Sequence, residues 1–131
     1  MATLPLISDE EASAEVLAVF DDIRATRGTD FINNFWRALA NDPALLASTW
    51  ARLKEVMGPG ELDPLVKEML YIAVSVANGC DYCIHSHTAA ANAKGMTLAQ
   101  HGELMSVIGI AMQTNGLVTA MQVPVDEVFQ A

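Results

Sequence analysis

The chain is short of charge, and above all of positive charge. Only 18% of its 131 residues are charged, and seven Lys and Arg stand against sixteen Asp and Glu, a formal net charge of -9. Nucleic acid and anionic lipid offer no counter-charge to that excess, and no basic arm or patch is present, so neither is an expected partner. Long apolar runs are missing too. No stretch reaches about 18 residues without a polar break, and the N-terminus has no basic segment followed by an apolar run and a cleavage site. The expected setting is therefore the cytoplasm, with no membrane partner. Alternating apolar and polar stretches, internal repeats and low-complexity linkers are also lacking, which removes strands and repeat architectures. Cysteine is scarce, with two in the chain. In a reducing compartment, a pair spaced as Cys80 and Cys83 are points to redox or metal chemistry before a structural staple.

What is present is apolar and helical. With 52% hydrophobic residues, residues 1–131 are expected to form one all-α domain with a sizeable core. Ser8 with Asp9, Glu10 and Glu11 predicts an N-cap and acidic first turn, leading into a face of Val16, Leu17, Phe20 and Ile23 that ends at Arg27-Gly28. A short segment from Phe31 to Ala40 groups Phe35, Trp36 and Leu39. Asn41-Asp42-Pro43 opens a third helix with Leu46, Trp50, Leu53 and Met57 on one side, stopped by Gly58-Pro59-Gly60. Asp63-Pro64 starts a helix that is apolar on nearly every face, which predicts that protein surrounds it. Asn78-Gly79 ends that helix, and the next runs from Cys80 or Asp81 to Gly95. Thr97 and Gln100 form a capping box, His101-Gly102 predicts an interruption, and Glu103 to about Met121 makes the last long helix.

The chemistry gathers between Asp63 and Gly95. Glu68, Tyr71 and Ser75 fall at i, i+3 and i+7, a narrow polar stripe on an otherwise apolar helix. At about 100° per residue, Cys80, Cys83 and His87 share a helix face, while His85 lies about 160° from His87. A cysteine attacks as its thiolate, which a helix N-terminus and a neighbouring imidazole both favour. His87, one turn after Cys83, supplies a base, and Glu68 could orient it; a half-buried carboxyl there is expected to titrate high, near neutral pH. Dipole arguments favour Cys80 as the more acidic thiol, and the histidine spacing favours Cys83. Plainer roles stand beside these: Glu68 as a solvated neighbour of Lys67, Tyr71 and Ser75 satisfying each other or the backbone, His85 at the surface, and His101 at a helix end. Zinc on Cys80, Cys83, His85 and His87 has suitable atoms, but residues pointing apart on one helix cannot close a tetrahedron. No metal and no cofactor are expected.

Glu68, eleven residues, Cys80-x-x-Cys83-x-x-x-His87, then an alanine-rich turn and Lys94-Gly95, resembles the alkylhydroperoxidase D-like, carboxymuconolactone decarboxylase superfamily. The resemblance covers roughly residues 40 to 122 and centres on 61 to 97. It implies an all-helical fold around an antiparallel helical pair, assembled as trimers or as hexamers of trimers. It also implies reduction of hydrogen peroxide or an organic hydroperoxide. Cys83 would attack and become a sulfenic acid, Cys80 would close a disulfide, Glu68 and His87 would relay protons, and a dithiol or protein reductant would restore the pair. Characterised peroxidases of this type are longer and carry a histidine where this chain has Tyr82. The decarboxylase branch generally lacks the cysteine pair, so its presence here speaks against lactone decarboxylation. The leading expectation is a thiol-dependent peroxidase. A thiol–disulfide reductase or redox adaptor using the same cysteines, a decarboxylase-like enzyme and a helical interaction protein are the alternatives.

Overall fold

A computed structural model describes residues 1–130. They form six α-helices and a closing 3-10 turn, with no strand among the described residues. The helices are α1 (Ala14–Arg27), α2 (Asn34–Leu39), α3 (Pro43–Met57), α4 (Pro64–Ala77), α5 (Asp81–Ala93) and α6 (Leu98–Met121). They group into two compact units that divide at Gly58-Pro59.

In the first unit, Val16, Phe20 and Ile23 of α1 bury against Ile32, Trp36, Leu46 and Trp50. The Trp36 and Trp50 rings meet edge to face with centroids 5.4 Å apart, an arrangement their quadrupoles favour. Trp50 Nε1 donates to Asp22 at 2.6 Å, so the buried indole leaves no orphan donor. The first helix starts later than the expected Ser8 cap. Ser8 and Glu11 do exchange the reciprocal bonds of a capping box, but around an isolated turn. Asp9 is drawn away to Arg24 and Arg37 at 2.6 and 2.9 Å, and Ser13 caps α1 instead.

The second unit is built on α4 and α5, an antiparallel pair joined through Asn78, Gly79 and Cys80. Gly79 turns left-handed at φ 65°. The Cys80 amide reaches back to the Ser75 carbonyl at 2.9 Å and the Gly79 amide to Val76 at 3.1 Å. These are the two bonds of a Schellman ending, which satisfies the last carbonyls of α4 and delivers Cys80 to the start of α5. The far end repeats the device: Gly95 has φ 91°, and Met96 and Gly95 bond to the carbonyls of Ala91 and Asn92, each at 3.0 Å. That turn leaves Lys94 as the C-cap of α5 and folds Met96 into the cluster of Ile72, Ala91 and Ile108. The two glycine turns thus fix both ends of α5, Cys80 at its start and Lys94 at its close.

The α6 helix differs from expectation at one point. It runs unbroken through His101-Gly102, started by the Thr97–Gln100 capping box. One glycine costs a helix interior about 1 kcal/mol, too little to break a 24-residue helix that a capping box starts and in which Leu, Ala, Met, Gln and Glu fill half the positions. Nor does the chain itself surround α4 and α6. Val66, Leu70 and Val74 of α4 stay exposed, and only Ile108 of α6 is buried. By length and composition α6 could cross a membrane.

Candidate active site

Cys80 and Cys83 are joined as a disulfide, with Cα atoms 5.3 Å apart. Cys80 is the N-cap of α5, and its sulfur accepts from the Cys83 amide at 3.3 Å. Both sulfurs therefore sit where free N–H groups and the helix dipole favour negative charge on a reduced thiol.

Below them in the hairpin lies a buried carboxylate. Glu68 is 5% exposed, and both of its oxygens are engaged: Oε2 pairs with His87 Nδ1 at 2.7 Å, and Oε1 accepts from Lys94 Nζ at 2.9 Å. Burial presses this carboxyl upward, but the hydrogen bonds from His87 and Lys94 and their charge outweigh it, so it titrates below the ordinary glutamate range. This overturns the expected raised value. A half-buried carboxyl alone would titrate high; a carboxyl with a lysine on one oxygen does not. An ionised carboxylate only accepts, so His87 Nδ1–H donates to it, and in the neutral form of the imidazole the free lone pair then lies on Nε2. The Tyr71 ring lies flat on that imidazole, with centroids 3.6 Å apart and planes 18° from parallel. Helical side chains lean toward the N-terminus, which carries His87 toward the turn of Cys83.

Of the residues singled out in the sequence, Glu68, Tyr71 and His87 meet in one cluster, one turn below the cysteines. Ser75 is buried, but its hydroxyl donates to the Tyr71 carbonyl at 2.7 Å and stays with its own helix. Tyr82 is 46% exposed, and His85 is exposed as well. Lys94 was overlooked as a site residue. Its signal was legible: it follows His87 by seven residues, two helical turns, and so falls on the same face. Among the described residues, no three His, Cys, Asp or Glu side chains converge in a group that could hold a metal ion.

Fold and site together define an all-helical protein with a cysteine pair at a helix start and a carboxylate–imidazole pair beneath it. The chain belongs to the carboxymuconolactone decarboxylase family, whose pattern it matches over residues 43–126. It is similar over its whole length to the alkylhydroperoxidase AhpD core of Rhodospirillum rubrum, with 66% identity, 98% of that chain covered and a TM-score of 0.97. An uncharacterized protein of Cupriavidus necator is 29% identical over 82 residues, 63% of this chain and 73% of that one.

Proposed function

We propose that the protein is a thiol-dependent peroxidase. The observation that supports this best is the joined pair Cys80–Cys83 one helical turn above the hydrogen-bonded pair Glu68–His87, in a chain whose solved relative is an alkylhydroperoxidase core. In the reduced enzyme His87 Nε2 takes the Cys83 proton. The thiolate attacks the terminal oxygen of a hydroperoxide, the O–O bond breaks, and the departing alkoxide recovers a proton from the imidazolium, giving a sulfenic acid at Cys83 and an alcohol. The Cys80 thiol then attacks the sulfenic sulfur and water leaves, which gives the disulfide. Two electrons from a dithiol reductant restore the pair. Cys83 is assigned the attack because its histidine is one turn away, and Cys80 the resolving role.

A thiol–disulfide reductase would use the same two sulfurs, and the sulfenic acid tells the two apart. Reduced protein mixed with hydrogen peroxide or an organic hydroperoxide should oxidise in stopped flow, with mass spectrometry finding the Cys80–Cys83 disulfide. Cys80→Ser should accumulate sulfenic acid at Cys83. Thiols that stay inert to both peroxides while exchanging readily with disulfides would replace this function with the reductase.

A further inference from the structure

We propose that Lys94 is a positioning residue of this site: its ammonium holds Glu68 Oε1, keeps the carboxylate an acceptor for His87 Nδ1–H, and thereby leaves the His87 Nε2 lone pair free to take the Cys83 proton. The geometry is specific. Lys94 reaches the carboxylate at 2.9 Å from the C-cap position of α5, held there by the Gly95 turn, and Glu68 offers its two oxygens to two different partners. The side chain of Glu68 is 6% exposed and that of Lys94 is 39% exposed, so the lysine is the wet end of a buried charge chain.

Counting charge shows what the lysine does. With Lys94 cationic and Glu68 anionic, the cluster is neutral while His87 carries no charge. Without Lys94 the same cluster holds a net negative charge in a buried place, and a proton from solvent relieves it. Glu68 and His87 share a hydrogen bond, so that proton belongs to the pair. On His87 it makes an imidazolium; on Glu68 it turns the acceptor into a donor and reverses the imidazole tautomer. Either way Nε2 stops being a base. The other groups facing the pair do not supply the missing charge. Tyr71 of α4 stacks a neutral phenol on the imidazole, Cys83 lies one turn before His87 on α5, and α6 brings Leu104 and Ile108 into the apolar cluster around Ile72.

The kinetic test rests on the peroxidase reading, and a spectroscopic test does not. In Lys94→Met, which keeps the stem and removes the charge, the acid limb of kcat/KM for hydroperoxide should move to higher pH. At pH 6 the loss should be about tenfold, the scale of one charge lost beside an ionisable group. Lys94→Arg should restore the profile. In a Glu68→Gln background Lys94→Met should add almost nothing, since the carboxylate through which it acts is gone. Independently, the imidazole 15N resonances of His87, assigned with His87→Ala, should show a protonated Nδ1 and an unprotonated Nε2 in the wild type at pH 7. They should show Nε2 protonated in Lys94→Met. An unshifted profile, or a 15N pattern unchanged by the substitution, overturns the role of Lys94. If Lys94→Met does not fold, Lys94→Gln, which also removes the charge but keeps a polar end at this half-exposed position, carries the same pH-profile and 15N readouts. If wild-type protein consumes no peroxide, the peroxidase reading falls and the 15N comparison still tests Lys94.

Discussion

Glu68 is the residue on which the site turns, and its ionisation has consequences for both rate and stability. Glu68→Gln and His87→Ala should each slow peroxide consumption by about 10² to 10⁴, the range for lost acid–base assistance. Rates unchanged from wild type in both variants would leave the pair a structural role only. The stability effect has a definite sign. The folded Glu68 titrates below its ordinary value of 4.5, so its interactions stabilise the fold above that value and are lost as pH falls through the folded one. Denaturant unfolding of wild type and Glu68→Gln should therefore differ most at neutral pH and converge in acid. A difference that grew in acid would mean that the carboxyl is neutral in the fold. The sequence disclosed most of this cluster, because Cys80, Cys83 and His87 share one helix face and Glu68 heads a polar stripe on the apolar helix before it. It did not disclose the charge state of Glu68. That depends on Lys94, twenty-six residues on, and proximity across a hairpin is a fact of the fold.

At the scale of elements, the glycines separate two kinds of turn. Gly79 sits at φ 65° and lets Cys80 close α4 with its amide and cap α5 with its sulfur. A side chain there meets no neighbour, but the left-handed backbone alone costs about 1–2 kcal/mol. Gly102 lies inside α6 with open space around its Cα, so a methyl group should only add helix propensity. Gly79→Ala should lower the thermal midpoint and Gly102→Ala raise it, the second by about 0.5–1 kcal/mol of stability. Calorimetry of the two variants checks both signs; a destabilised Gly102→Ala would mean that something outside this chain approaches α6 closely. Helix ends marked by glycine or by Asp-Pro were legible because those residues act locally. The ends misjudged were those where a distant partner decided. Asp9 looked like part of a first helical turn until Arg24 and Arg37 claimed it, and Gly102 looked like a break because a lone glycine does not show the strength of the capping box five residues before it.

At the scale of the whole molecule, the apolar surface left open asks for a partner. Val107, Ile110, Met112, Leu117, Val118 and Met121 of α6 are all at least 49% exposed, as are Leu70 and Val74 of α4. Apolar surface of this extent marks a face that is covered in use. Length and composition alone would let α6 span a bilayer, but its middle carries Gln113, Thr114 and Asn115 side by side, and a helix crossing hydrocarbon has to pair each of those polar groups. Copies of the same chain suit the surface better, since closed symmetry covers every copy's apolar face and lets exposed amides and hydroxyls pair between subunits. We therefore propose a homo-trimer or a hexamer of trimers, with α6 and the open face of α4 in the contacts. Sedimentation velocity at micromolar concentration should show one species at three or six times the 14.0 kDa chain. Replacing Ile110 and Leu117 together by Lys should break it into smaller species. A stable monomer that stays soluble without detergent would remove the interface, and a chain that floats with vesicles would put α6 in a membrane instead.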